Sequence, residues 1–429
     1  MFRALFVAVA TCSVLVQSPA EAVAQTGRLS AGASRVEITP AADAALPMSG
    51  YAGRTEGFRG IHDNLHVRAV VVDDGTTRAA LVACEVIGIS APLWEKITER
   101  VARETAIPRD HIILASVHTH AAPALGTYGE QADGEVATRR AAYVARVEDA
   151  VVTAVRQAKT TLQPARIGYG AGKVNVNMNR RAPNGTGGWM LGNNPDGVSD
   201  KTVAVIQLET AAGEPLAIIS NYGVHGTVLG PGNLQISGDL PGAASAVVEK
   251  HHGDRVVAPW TSGAAGDQDP IYRTGTDFRN VAALGQLLGE EVIRVAEGIK
   301  TTPRGRVRAM QKVVTCPGKR TVQSPGPRRE YTTEDADPVS IRLSLLVIND
   351  IAVAGVSGEV LTNIALRLKQ ESPFNRTVMV THANGSSGYL PDDAAYDQVS
   401  YEIVATRARR GCAEGAIVDG FLEMMATFF

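Results

Sequence analysis

Two hairpins constrain this chain most. Val67 to Val72 and Ala79 to Val86 are apolar-rich runs, and the turn segment between them carries Asp73-Asp74-Gly75. Ile341 to Ile348 and Ile351 to Val356 flank Asn349-Asp350, which reads as a two-residue turn. Apolar runs of this length bounded by turn residues are strands, and a connection this short joins them antiparallel. Between the strands lie helical patterns. Leu93, Ile97 and Val101 recur every four residues and predict a helix over roughly 91–106 that stops before Pro108. Val144, Val147, Val151 and Val155 form one helical face; Leu284, Leu288 and Val295 mark another helix; Val360, Ile364 and Leu368 open a further one. Ile112 to Val117, Val203 to Leu208, Leu216 to Ser220 and Val256 to Pro259 are further strands. The predicted class is α/β, with mixed β-sheets covered by α-helices; the paired hairpins argue against an eight-fold barrel. Residues 301–338 are poor in apolar periodicity and contain Pro303, Pro317, Pro325, Pro327 and Pro338, which predicts a long connection or surface excursion. No repeat and no clean boundary divides residues 25–429, so they are expected to form one catalytic domain.

Composition enters by what it excludes. Hydrophobic residues make up 45% and charged residues 20%, a balance that supports a core and rules out a disordered chain. Lys plus Arg is 42 and Asp plus Glu is 44, a formal charge of −2 and no footprint for nucleic acid. The first 24 residues read as a signal peptide: Arg3, then the apolar run Ala4 to Val16, then Ala20-Glu21-Ala22 and Ala22-Val23-Ala24 as small-residue cleavage sites. No later stretch is long and apolar enough for a transmembrane helix, so the mature protein is expected to be secreted or periplasmic. Cys12 leaves with the signal. Of Cys84, Cys316 and Cys412, Cys84 sits in an apolar run as a small core residue, and Cys316 and Cys412 are free to pair in an oxidising compartment.

Chemistry-bearing residues gather at strand ends. His118-Thr119-His120 closes the strand Ile112 to Val117, and residues two apart in an extended chain point to one side. The two imidazoles read either as metal ligands or as solvent-facing, hydrogen-bonded side chains. His225 follows the strand Leu216 to Ser220 between Gly223 and Gly226 and reads as a ligand or a satisfied buried histidine. Glu359 sits at a strand-to-helix turn, where it complements the helix dipole or ligates a metal. Tyr389, Tyr396 and Tyr401 are half-buried tyrosines or donors to an oxyanion. Asp267 and Asp269 stand in a glycine-rich loop, residues 262–270, as turn caps or as polar groups presented into a site.

Taken in order, several segments resemble the catalytic domain of the neutral (non-lysosomal, alkaline) ceramidases. They are Ser34-Arg35-Val36-Glu37-Ile38-Thr39-Pro40, Met48-Ser49-Gly50-Tyr51, Gly60-Ile61-His62, Ser116-Val117-His118-Thr119-His120 and Asn177-Met178-Asn179-Arg180. Val224-His225-Gly226-Thr227, Ile236-Ser237-Gly238-Asp239, Gly266-Asp267, Gly358-Glu359, Gly388-Tyr389 and Tyr401 follow. Each is short; their joint order from Ser34 to Tyr401 carries the resemblance. It implies a single Zn2+ held by His118, His225, Glu359 and Tyr389, with His120, Arg180 and Tyr401 around the scissile amide. It implies hydrolysis of an N-acyl amide, ceramide or a related small-molecule or lipid amide, by zinc-activated water. Two departures stand out. Asp269 occupies the position where the family carries a serine viewed as a nucleophile, which leaves a zinc-water route with His120 or Asp269 as proton acceptor. Typical members also carry a C-terminal β-sandwich, whereas this chain ends at Phe429. Competing readings are a zinc esterase or peptidase on the same site, and a family member that binds without turnover.

Overall fold

The structure is a computed structural model that describes residues 27–429 apart from 52, 53, 55, 128–131, 274 and 324–330. The signal segment 1–24 lies outside the described residues.

Two sheets form the frame. The larger has eight strands in the spatial order Trp260–Ser262, Pro215–Tyr222, Thr202–Thr210, Gln163–Lys173, Ser30–Glu37, His66–Asp73, Arg78–Cys84 and Ile112–Ser116. The smaller has four, Val307–Gln323, Tyr331–Ile348, Ile351–Val356 and Arg376–Val380. Both mix antiparallel and parallel pairs. Period-two alternation sorts the side chains into layers. On His66–Asp73, Val67, Ala69 and Val71 pack under the helices Ala91–Thr105 and Gly134–Thr160, while Val70 and Val72 face the smaller sheet. On Tyr331–Ile348, Leu346 and Ile348 face the larger sheet, and Ile341, Leu343, Leu345 and Val347 pack against the helices Thr362–Glu371 and Ala413–Ala426. The result is helices, sheet, sheet, helices, with largely apolar layers between them. A Val or Leu buried this way contributes roughly 1.5–3 kcal/mol.

The predicted hairpins and helices are present: His66–Asp73 pairs with Arg78–Cys84, Tyr331–Ile348 with Ile351–Val356, and Asn349 adopts the positive φ of 58° that its turn needs. Ser90 caps the helix Ala91–Thr105 by accepting from the Leu93 amide. Two expectations are corrected. The strand predicted at Val256 to Pro259 lies just downstream, at Trp260–Ser262, with only an isolated bridge from Ala217 to Val257. Residues 301–338 are no loose excursion, because Val307–Gln323 and Tyr331–Ile348 form one long antiparallel pair. Its far half is exposed on Tyr331–Ile348 and so lacks the apolar alternation that marks a half-buried strand. Pro317 and Pro338 are accommodated locally, and Pro325 and Pro327 lie outside the described residues. The register shifts between Cys316 and Gly318, at Pro317, opposite Asp337 and Pro338, where a bulge removes the need for ladder donors.

Cys316 and Cys412 form a disulfide, and Cys84 is a buried free thiol. Among the described residues no helix is long and apolar enough to cross a membrane.

One buried charge cluster fastens a helix to the larger sheet. Arg68 donates to Glu85 at 2.5 Å and to Glu249 at 2.7 and 3.0 Å, all three side chains buried. Burial works against both carboxylates, but Arg68 holds their pKa values below the ordinary range. Arg68→Ala removes the cation that two buried carboxylates share, leaving Glu249 with Arg35 alone, and should cost about 3–5 kcal/mol in denaturant unfolding at neutral pH. Because the folded pKa values are depressed, the cluster's stabilisation is present above the unfolded carboxylate value of about 4.3 and disappears as pH falls below it. The wild-type and variant stabilities should therefore converge in acid; a constant gap down to acid unfolding would contradict this.

Candidate metal centre

The ends of both sheets meet at one place. The larger sheet curls until its two edge strands approach, and Ser262 Oγ donates to the Val117 carbonyl at 3.1 Å. The Thr381 amide, at the end of the smaller sheet, donates to the Ser262 carbonyl at 2.8 Å. Thr119 and Gly226 form a parallel bridge. His118, His225 and His382 each follow a buried strand end by two or three residues and turn into this junction.

The local backbone explains how. His118 has φ 63°, so the chain leaves the strand in a left-handed turn. His118 and His120 face one another because of that turn, and simple strand alternation does not describe it. Their rings are edge-to-face at 4.8 Å, with the two Nε2 atoms 3.2 Å apart. His118 Nδ1 is 2.7 Å from the Ile87 carbonyl, and His225 Nδ1 is 2.7 Å from the Ala265 carbonyl. A carbonyl only accepts, so Nδ1 carries a proton in each ring, which in the neutral tautomer puts the lone pair on Nε2. Both Nε2 atoms lie 3.5 Å from Glu359 Oε2.

Glu359 lies in the short strand Glu359–Val360, just before the helix Thr362–Glu371, and its carboxylate is buried among the histidines. It pairs in parallel register with Tyr389. The Tyr389 hydroxyl accepts from Arg180 Nη2 at 2.8 Å. Arg180 Nε donates to Glu402 at 2.7 Å, and its Nη1 lies 3.2 Å from His225 Nε2 and 3.4 Å from Asp269 Oδ1. Tyr401 stands at the mouth, 47% exposed, its ring 5.5 Å from that of Tyr389. Asp269 is buried and paired also with Arg273 at 2.7 Å.

The electrostatics suit a cation. Burial, reinforced by His382, pushes His118 well below the usual imidazole range, and burial with His225 does the same to His120. Burial works against the Glu359 charge, but the facing His118 and His225 hold its carboxyl well below the ordinary range. Neutral imidazoles around an ionised carboxylate are a donor set for a divalent metal. Two groups each bring their donor atoms within 4.8 Å: His118, His120 and His225, and His118, Glu359 and His382. Burial pushes the Tyr389 phenol well above its ordinary value, with Arg180 opposing. Asp269 is depressed: burial opposes its charge, and Arg180 outweighs it.

The family described as "Neutral/alkaline non-lysosomal ceramidase, N-terminal" matches residues 29–282, more than half of the sequence. The chain belongs to this family. It is 31% identical over 242 residues to "Neutral ceramidase A" of Dictyostelium discoideum, covering 50% of this chain and 31% of that protein. It is 27% identical over 250 residues to "Neutral ceramidase" of Pseudomonas aeruginosa strain PAO1, covering 57% and 37%. The matched stretch thus spans about a third of these relatives' length. In fold, the chain superposes on the crystal structure of neutral ceramidase from P. aeruginosa with a TM-score of 0.79 at 19% identity, over 94% of this chain and 74% of that one.

His118, His120, Arg180, His225, Asp269, Glu359, Tyr389 and Tyr401 all lie in or beside the junction, whereas the Tyr396 hydroxyl donates to the Ala408 carbonyl and the Asp267 carboxylate accepts from Thr362. Sequence reasoning missed His382 and Glu402. The His382 signal was available: a histidine directly after the apolar run Val378 to Val380, as with His118 and His225. Glu402 is fully buried against Arg180 and Arg181, which the short helix Tyr401–Ala405 conceals. Gly50 is equally local in effect. Its φ is +73°, and a Cβ there would meet His120 Nδ1 at 2.2 Å. Gly50→Ala should therefore displace the His120 ring from His118; a crystal structure of the variant with that ring unmoved would contradict the packing described.

Proposed function

We propose that this ceramidase-family chain is an exported zinc-dependent hydrolase of N-acyl amides, with ceramide or a related lipid amide as substrate. The observation that carries the reading is the approach of two Nε2 atoms to one carboxylate oxygen at 3.5 Å, with each Nδ1 fixed on a carbonyl. His118, His225 and Glu359 would hold zinc, and Tyr389, in register with Glu359, would complete the set. Bound there, zinc supplies a Lewis acid for the amide carbonyl and brings the pKa of water to about 7.

The remaining chemistry falls to the chain. His120, neutral and with no hydrogen-bond partner for Nδ1, takes the proton from water and delivers it to the leaving nitrogen. Arg180, held charged by its carboxylate neighbours, and Tyr401 at the mouth stabilise the oxyanion. Asp269 is a poor proton acceptor because Arg180 and Arg273 both pair with it. Its role is to position Arg180, and with a carboxylate at that position no serine nucleophile is offered there. The Cys316–Cys412 disulfide supports an oxidising, extracytoplasmic location.

Purified, zinc-quantified protein should cleave an N-acyl sphingosine in detergent faster than short N-acyl amino acids or simple esters. Ester preference would favour the esterase reading, and zinc uptake without turnover of any of them a binding role. His118→Ala and His225→Ala should lose both zinc and hydrolysis. His120→Ala should keep zinc and lose about 10²–10⁴-fold in rate. Full activity in zinc-free His225→Ala would end the proposal.

A further inference from the structure

We propose that a cavity beside the helix Tyr401–Ala405 binds a singly charged oxyanion joined to an apolar group, as in a medium-chain carboxylate. The inference is independent of the metal centre, with which the cavity shares no lining residue. The cavity measures about 260 Å³. Lys319, Arg409 and Arg410 bring cations to it, and Val399, Ile403 and Val404 bring apolar surface.

Lys319 is the group that calls for a ligand. The residue is only 6% exposed. Its Nζ donates to Thr321 Oγ1 at 3.0 Å and to the Ile403 carbonyl at 2.8 Å. Both partners are neutral, and among the described residues no carboxylate pairs with it. Burial lowers its pKa, and the nearby positive charge of Arg409 lowers it further. Buried lysines are ordinarily paired with an anion. An ammonium has three N–H donors, so one is left over beside the cavity.

The other cations set the charge of the ligand. Arg409 pairs with Asp335, and Arg410 pairs with Asp397 through two bonds at 2.6 and 2.9 Å. Each arginine is matched by its own carboxylate, so Lys319 alone among the cavity's cations lacks a counter-ion. A ligand with one negative charge completes the balance. The walls set the rest of it. Tyr396 also lines the cavity, and because its hydroxyl donates to the Ala408 carbonyl at 2.8 Å, it offers ring surface. Val399 is 47% exposed. Pockets that enclose drug-sized molecules run to about 300–1,000 Å³. This smaller cavity suits a carboxylate head and the first part of its chain.

Equilibrium dialysis of the full chain against decanoate tests this, with EDTA present so that no carboxylate is held by a metal. Wild type should bind decanoate, and should bind decanol and acetate each more weakly. Lys319→Met, which keeps the stem without the charge, should weaken decanoate by about tenfold. Val399→Asp, which adds a like charge at an exposed position, should also weaken it. Wild type that binds no decanoate, or that binds decanol or acetate as tightly, overturns the proposal. Decanoate binding undiminished in the two variants places the carboxylate elsewhere and overturns it as well. Should Lys319→Met fail to fold, undiminished binding in Val399→Asp is enough.

Discussion

The junction depends on Ser262. Its backbone pairs with Tyr222, its carbonyl accepts from Thr381, and its hydroxyl donates to the Val117 carbonyl. The three segments bound this way run directly into His225, His382 and His118. Imidazoles far apart in sequence therefore share one centre because backbone and hydroxyl hydrogen bonds close the larger sheet on itself and tie the smaller sheet to the closure. The bonds are buried and shielded from water, which makes them costly to leave unmade.

Rigidity at the junction suits the proposed metal-centred chemistry in a specific way. A metal ligand must present a lone pair in a fixed direction, and the carbonyls of Ile87 and Ala265 fix the tautomers of His118 and His225. The neighbouring Arg180 is likewise over-determined, held by Glu402, Asp269 and Tyr389. Asp269 fits this pattern as a partner of two arginines. Its carboxylate is buried in cationic surroundings that suit it.

Much of this was legible in the sequence because the relevant signals are local. The Asn349 turn, the Ser90 cap and the four-residue spacing of Leu93, Ile97 and Val101 each fix an element without help from distant residues. The long pair Val307–Gln323 and Tyr331–Ile348 was not legible, since its outer half is exposed and its prolines, at a bulge, mimic a loop. At the site, family order brought forward Tyr389 and Tyr401, while His118, His225 and Glu359 were already visible at strand ends. His382 and Glu402 were hidden for a different reason: their meaning lies in contacts across more than 200 residues, with Ser116 and His118 for one and Arg180 for the other. No local pattern encodes those contacts.

The most direct measurement is anomalous diffraction at the zinc edge from crystals of the metal-loaded protein. The account predicts a peak about 2.0–2.2 Å from His118 Nε2, His225 Nε2 and a Glu359 oxygen. Absence of a peak among these three side chains, with zinc bound elsewhere on the chain, would contradict it.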